Sequence, residues 1–433
     1  MSAAETLPVI GFAGMTHLGL VSGVSASEKG FRVVCFDPDA SRIEPLTRRV
    51  LPVSEPQLDE LVARNAERLT FTGNAADLAA CKVIYVAPDV PTDDQGGSDL
   101  GPINVLLDRV MDAAGPETVI VVLSQVPPGF TRGRQRAGRI LYYQVETLIF
   151  GRAVERALLP ERYIVGCADP AQPLPAAYRT FLEAHGCPIL PMRYESAELA
   201  KISINMCLVA SVSTANTLAE LCEKIGADWS EIVPALKLDR RIGQYSYLAP
   251  GLGIAGGNLE RDLATVCAFA DRHGTDAGVV RSWIANSRHR RDWAAATIRS
   301  ALLDANPTAT VAVWGLAYKE NTHSVKNSPS LATLAQLPGV KLRLHDPLVP
   351  ASAAAHAAAE GALDPLAALR GADALMILTP WPQYREFAPA AIATAMRGRI
   401  VLDPYAVLDL KAAVAAGLSM YTLGRPPMLP GGQ

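Results

Sequence analysis

At 433 residues the chain is long enough for two or three domains with large cores. Hydrophobic residues make up 49% and charged residues 19%, the balance of a globular protein, which excludes a disordered or fibrous chain. A formal net charge of −3 offers none of the basic excess that nucleic acid or an anionic membrane surface would require.

Seven cysteines, at 35, 81, 167, 187, 207, 222 and 267, are scattered without a C-x-x-C pair, and most lie in apolar runs. That pattern predicts reduced core thiols and a cytoplasmic protein. The histidines show no metal-ligand spacing, so no metal site is expected. The opening MSAAETLP has neither a basic nor an apolar stretch, and no signal peptide is expected.

Residues 8–15 (PVIGFAGM) and 31–38 (FRVVCFDP) read as strands, with a turn and a helix between them. This is the start of a βαβ unit. A dinucleotide turn wants G-x-G-x-x-G and an acid about 20 residues on; the match here is Gly14, Thr16, Gly19 and Asp37. Threonine stands where glycine would let the backbone approach a pyrophosphate. Asp37 would accept from ribose hydroxyls and repel a 2′-phosphate, favouring NAD over NADP. The other reading of so degraded a fingerprint is a turn that binds nothing.

Further strands are predicted at 82–88 and 118–126, with shorter ones near 69–72, 141–146, 162–166 and 187–191, and helices near 55–66 and 101–114. Such alternation predicts a parallel sheet covered on both faces. The loops PDVPTDDQGGSDL and SQVPPGF follow strand ends, where ligands sit in such sheets. The basic run TRGRQRAGR at 131–139 reads as a solvated helix face.

From about Ser196 to Gly226 a long apolar run without proline predicts one helix of about 45 Å, with Gly226 as its C-terminal glycine. Its Glu198, Lys201, Asn205 and hydroxyl residues argue against a membrane span. Lys201 and Asn205, four apart, leave the same face. Buried together they would be costly unless used; alternatively, the lysine snorkels to solvent. A glycine-rich stretch, 237–263, follows and implies close backbone approach. Helices are predicted from about Asp262 to His273 and from about Gly278 to Ala301. Beyond Asn306-Pro307 a second βαβ pattern begins, with strands at 310–319, 340–347, 374–381 and 399–405 and alanine-rich helix or loop at 351–363. The tail RPPMLPGGQ reads as frayed. The fold expected is α/β: two Rossmann-like parallel-sheet domains, 1–195 and 304–433, joined by a long central helix and small helical domain at 196–303.

In this order the chain resembles the UDP-glucose/GDP-mannose dehydrogenase family over nearly its whole length. The resemblance rests on SQVPPGF at Ser124–Phe130, QVETLIFG at Gln144–Gly151, and Glu198, Lys201 and Asn205 in an E-x-x-K-x-x-x-N helix. The glycine-rich block Asp239–Asp262 and GLAYKENTHSVKNSP at Gly315–Pro329 complete it.

The family oxidises a sugar C6 alcohol to a carboxylate in two NAD-dependent steps. The resemblance implies that Lys201 and Asn205 stabilise an alkoxide and that Asp262 holds a water serving as base. It implies a cofactor site of Gly14, Thr16, His17, Leu18, Gly19, Asp37, Pro88, Thr92, Ser124, Gln125 and Lys326. It also implies a substrate site of Arg241, Tyr247, Gly251, Gly253, Gly256 and Lys319, a UDP-sugar as substrate, and a homodimer in which Arg241 reaches the partner's site. Neither nucleic acid nor a membrane is expected as partner.

The departures cluster. The nucleophilic cysteine aligns with Asn258, the loop threonine with Gln125, and of two glutamates Glu146 remains while the second aligns with Phe150. All three losses fall on thioester formation and hydrolysis. Asp403-Pro404-Tyr405 lacks an arginine, His323 and Ser324 replace two aspartates, and His17 replaces a tyrosine. The expectation is a two-electron sugar-nucleotide oxidoreductase or an oxidation–reduction epimerase. A noncatalytic binding homologue and a β-hydroxyacid-type dehydrogenase are the alternatives; the second βαβ domain speaks against the latter.

Overall fold

The computed structural model describes residues 7–93, 97–255 and 257–431. The chain divides into two compact units, Met1–Ile204 and Asn205–Gln433.

The first unit is built on an eight-stranded sheet. Its strands are β1 (Ile10–Ala13), β2 (Val33–Phe36), β3 (Leu69–Thr72), β4 (Val83–Val86), β5 (Val119–Val122), β6 (Ile140–Gln144), β7 (Tyr163–Cys167) and β8 (Ile189–Arg193), in the order β3-β2-β1-β4-β5-β6-β7-β8. The central strands VVCF, VIYV and VIVV are apolar at every position because both faces are covered. Alternate residues feed two cores: Phe12, Tyr85 and Val121 pack on one side, and Ala13, Ile84, Val86 and Val122 on the other. The sheet departs from the all-parallel expectation at one place, where β6 pairs β7 antiparallel. The segment between them carries the six-residue helix Ala153–Leu158, which packs beside the helix His17–Glu28 instead of crossing the sheet.

The second unit holds a six-stranded, wholly parallel sheet. It consists of β9 (Thr310–Trp314), β10 (Lys341–His345), β11 (Ala359–Gly361), β12 (Ala374–Ile377), β13 (Ile400–Leu402) and β14 (Ser419–Tyr421), ordered β11-β10-β9-β12-β13-β14. The alanine-rich 351–363 segment supplies a 3₁₀ turn at Ala351–Ala354 and then the edge strand β11. Before the sheet come helices Trp229–Leu238, Asn258–His273 and Gly278–Arg291. The expected single helix to Ala301 is instead broken at Asp292, continuing as Trp293–Ile298 and a π turn at Arg299–Leu303.

The long helix runs Tyr194–Ile225, and Gly226 follows at φ +83 with open space around it. By length and mean hydropathy (1.3) it is apolar enough to cross a membrane, so its polar residues do not exclude a span as the sequence reading expected. Within the protein it buries Ala197, Ile202, Val209, Ala215 and Ala219, while Leu199, Leu218, Leu221 and Ile225 stay exposed. The arginines of 131–139 are not a helix face: that helix stops at Gly133. Arg132, Arg134 and Arg136 pair with Glu195, Asp108 and Asp112.

Candidate functional site

In the first unit the chain leaves β1 through Gly14 at φ +98 and enters the helix His17–Glu28. A Cβ on Gly14 would lie 2.7 Å from Pro88 N, and one on Gly19 would lie 1.9 Å from Gly14 O. Both positions therefore exclude side chains, as a tight dinucleotide turn requires. Leu18 is buried in the core behind the turn. Asp37, just past β2, is buried, and its carboxylate accepts from Met15 N (2.7 Å), Asp39 N (2.9 Å) and Arg42 Nη1 (3.2 Å). A carboxylate has about four acceptor sites, so one remains for a ribose hydroxyl. The adenosine end of a dinucleotide fits these residues.

At the other end of the turn the protein has placed its own anion. Asp89 follows β4; its backbone N–H donates to Thr16 Oγ1 (2.8 Å) and its Oδ2 accepts from His17 N (3.1 Å). The helix N-terminus, with its partial positive charge, is thus met by a carboxylate where a pyrophosphate would lie. Protein packed around the Asp89 carboxyl raises its pKa, with the nearby Glu146 charge adding to this, while Thr16 and His17 oppose it. His17 does not face outward as a free base. Its Nε2 is 2.8 Å from Glu55 Oε1, and Phe150 lies against its ring with centroids 4.1 Å apart. Glu55, buried, also accepts from Gly151 N (2.9 Å) and Ala153 N (3.2 Å). Ser124 Oγ donates to Pro88 O (2.5 Å), Thr92 bridges Ser98, and Gln125 is half-buried beside them.

Lys201 Nζ is 3.1 Å from Glu146 Oε1, both side chains little exposed, and Glu146 Oε2 accepts from Leu148 N (2.8 Å). The lysine is therefore paired and does not snorkel. Glu198, fully buried, accepts from Gly129 N (2.6 Å) and Thr131 N (2.8 Å), so it anchors the SQVPPGF loop. Burial raises its pKa.

In the second unit Asn205 Nδ2 donates to Asp262 Oδ2 (2.5 Å), and Arg261 Nε lies 3.3 Å from Asp262 Oδ1; all three are buried. The helix starts at Asn258, not Asp262, because Gly257 at φ +90 precedes it. Asn258 is exposed one turn before Asp262. A Cβ on Gly257 would touch Lys326 Cγ at 3.4 Å, so Lys326 lies in this unit and not with the cofactor turn. The glycine-rich loop is pinned by Gly251 N to Asn216 Oδ1 (2.8 Å), Ile254 N to Ser287 Oγ (2.7 Å) and Arg291 Nη2 to Ile254 O (2.9 Å). A Cβ on Gly253 would lie 2.5 Å from Ser287 O. Gly256 lies outside the described residues. Tyr405 is tied by a backbone hydrogen bond to Leu252 of the same loop, and burial raises its pKa. Asp403, buried, accepts from Val407 N and Leu408 N, and burial pushes its carboxyl up to about 6. Lys319 Nζ lies 5.7 Å from the Tyr318 ring centroid. Arg241 has an 89% exposed side chain paired with Asp239, and Tyr247 is 52% exposed.

Asp89, Glu55 and Arg42 escaped the sequence reading. Asp89 lies in a loop already marked as ligand-bearing by its place after a strand; Glu55 carried no local signal. Asp89→Asn should tighten dinucleotide binding by roughly three- to tenfold, the size of a charge effect at a helix end. Because its pKa is raised, the wild-type carboxyl starts to lose its charge at a higher pH than an ordinary carboxylate, and affinity should rise as pH falls through that range. Fluorescence titration across pH checks both, with a flatter profile expected for the variant; equal affinity at all pH values would contradict this role.

Comparison with known proteins gives a consistent result. Residues 9–181 match the NAD binding domain of the UDP-glucose/GDP-mannose dehydrogenase family, 195–288 its central domain and 312–410 its UDP binding domain. The chain is 30% identical to the UDP-glucose 6-dehydrogenase YwqF of Bacillus subtilis, covering 97% of this chain and 98% of that one. It is 29% identical to the UDP-glucose 6-dehydrogenase of Pseudomonas aeruginosa, covering 95% and 96%. Among solved structures, a UDP-glucose dehydrogenase from the archaeon Pyrobaculum islandicum superposes with a TM-score of 0.82 at 26% identity, covering 95% of this chain and 97% of that one. Matched from its dinucleotide turn to its second sheet, the chain belongs to the UDP-glucose/GDP-mannose dehydrogenase family of NAD-dependent sugar-nucleotide dehydrogenases.

Proposed function

We propose that this protein interconverts an alcohol and a carbonyl on a UDP-sugar, with NAD as hydride acceptor, and stops after two electrons or re-reduces the same carbon as an epimerase. The observation that carries this reading is Asn258, exposed at the first position of its helix one turn before buried Asp262. Its amide nitrogen is delocalised and cannot trap an aldehyde as a thiol does. No other cysteine takes over: Cys267 packs in an apolar cluster with Val209 and Leu263, and Cys207 leaves the long helix about 200° round from Asn205.

In this reading Lys201 and Asn205 donate to the oxygen of the reacting alcohol as it gains negative charge. Asp262, oriented by Asn205 and Arg261, holds the water that takes the hydroxyl proton. Glu146 keeps Lys201 in place and receives its charge when no substrate is present. Bound NAD supplies the hydride acceptor. The C–H bond breaks with its electron pair, the O–H proton goes to the water held by Asp262, and one carbonyl forms. Gln125 and Phe150 stand where the resemblance places groups of the hydrolytic half. The carboxylate of Asp89 at the helix N-terminus favours a second reading, a binding homologue without turnover.

The exposed Leu199, Leu218, Leu221 and Ile225 on the long helix, with Leu238, Ile242 and Tyr245 beyond it, support a homodimer as part of the same proposal. Light scattering at micromolar concentration should give twice 46.0 kDa; a stable monomer would remove the partner role assigned to Arg241. Lys201→Met should keep the fold and lower turnover by about 100-fold or more, the usual weight of an electrostatic or acid–base group. A near-normal rate in that variant means the helix does not organise the chemistry.

The deciding experiment is stoichiometry. Purified protein, NAD and a panel of UDP-sugars should yield one NADH per sugar and a carbonyl product by mass spectrometry, or net epimerisation without NADH. Two NADH per sugar with a uronic acid would overturn the two-electron limit. Tight binding of both ligands without turnover would select the binding homologue.

A further inference from the structure

Behind the helix His17–Glu28, on the side away from its dinucleotide turn, the first unit encloses a cavity of about 60 Å³. Its walls come from β1 and that helix, from β4, from the Gln144–Leu148 segment after β6, and from the helices Ala153–Leu158 and Ala176–Glu183. Five rings line it: Phe12, Tyr85, Tyr163, Phe181 and His185. Phe12 and Tyr85 stack with centroids 4.9 Å apart, and Tyr85 and Phe181 lie at 5.5 Å, so the rings hold one another in place around the space.

Two polar features stand in this apolar lining. Ser25, 1% exposed, lines the cavity, and its Oγ has no hydrogen-bond partner among the described residues. A buried hydroxyl left without a partner is costly, and such groups point to a ligand or an ordered water. Gln144 Oε1 accepts from both Tyr85 OH (2.9 Å) and Tyr178 OH (3.0 Å), which leaves its amide N–H groups unused by either tyrosine.

The charged groups on the lining are already matched. Arg156 donates to Thr147 O (2.7 Å) and pairs with Glu161 at 3.3 Å. Glu146 pairs with Lys201. Burial lowers the His185 pKa to about 4, so that ring is neutral at physiological pH. An ionic guest would bring an uncompensated charge into this space, which disfavours it. At about 10–15 Å³ of probe volume per water-sized occupant, the space suits a guest of about four to six non-hydrogen atoms.

We propose that this cavity is a binding site for a small uncharged organic molecule carrying one hydroxyl or carbonyl group, seated with that group against Ser25 Oγ and its hydrocarbon part among Phe12, Tyr85 and Phe181. The site is separate from the family's cofactor and substrate domains as matched residues, yet its wall includes Glu146 and the helix that carries the dinucleotide turn. Concave, mostly apolar surfaces with few polar groups are the usual form of small-molecule sites.

The test uses the full chain with three probes: cyclopentanol, cyclopentane and cyclopentylamine at neutral pH, followed by ligand-observed NMR and by the shift in thermal midpoint. Cyclopentanol should bind in the millimolar range or tighter, and cyclopentane about three- to tenfold more weakly, the weight of one hydrogen bond. The charged amine should bind more weakly still. Ser25→Ala should remove the preference for the alcohol over the hydrocarbon. Ala157→Phe, at a partly exposed wall position and therefore the safer variant for folding, should abolish binding of both. Cyclopentanol binding unchanged in both variants would overturn the site, as would the amine binding as well as the alcohol. Absence of binding up to about 10 mM in the wild type would leave the cavity to water and overturn it too. The outcome does not depend on the two-electron reading, since no probe is oxidised to report it.

Discussion

A carboxylate lodged on backbone N–H groups, at the end of the strand beside the first one, is the contact on which each sheet's mouth is built. In the first unit it is Asp37, accepting from Met15 N; in the second it is Asp346, accepting from Leu316 N (2.7 Å) and Ala317 N (3.0 Å). Each fixes the turn leaving the central strand and satisfies donors that would otherwise be buried unpaired. The two differ in what they have left. Asp346 also takes Leu348 N, Val349 N and Trp381 Nε1, so its acceptor capacity is spent within the protein. Asp37 has three donors and keeps room for one more. The same device therefore closes one turn and leaves the other able to receive a ribose, on the sheet that matches the family's NAD binding domain.

Around the Asp37 turn the electrostatics pull in opposite directions. A glycine-shaped turn and a helix N-terminus invite a phosphate, while Asp89 and Glu146 place negative charge nearby. His17 is committed to Glu55, so its charge is not free to offset them. The paired residues on the long helix follow the same logic. Lys201 rests on Glu146, and Asn205 rests on Asp262. Each group that chemistry would need is held by a neighbour of opposite or complementary character, which keeps buried polar groups affordable and oriented. Asn258 is the exception among the aligned positions: it is exposed and carries no nucleophile.

Much of this was legible in the residues alone, because it depends on short-range patterns. Strand runs of apolar residues, the Gly14–Gly19 spacing, Asp37 at the end of β2, and Lys201 and Asn205 one turn apart all follow from periodicities of two and of 3.6. The long helix and its terminal Gly226 were likewise readable, since helix signals and the glycine that ends them are local. Membership of the family followed from motifs that keep their order along the chain.

The tertiary structure alone decided the partners. Glu55 meets His17 from 38 residues away, Asp89 meets it from 72, and Glu198 reaches Gly129 across 69. No window along the chain contains such pairs. The antiparallel turn at β6 and β7, the break at Asp292 and the later role of Lys326 beside Gly257 were also invisible, because each depends on where a segment packs. The cavity at Ser25 is the clearest case. A serine on a helix reads as an ordinary small residue, and only the surrounding rings, drawn from elements spread between β1 and residue 185, enclose the space that its hydroxyl faces. Sequence determines which backbone shape each stretch prefers; which side chains share a volume is set by the sheet order that brings distant stretches together.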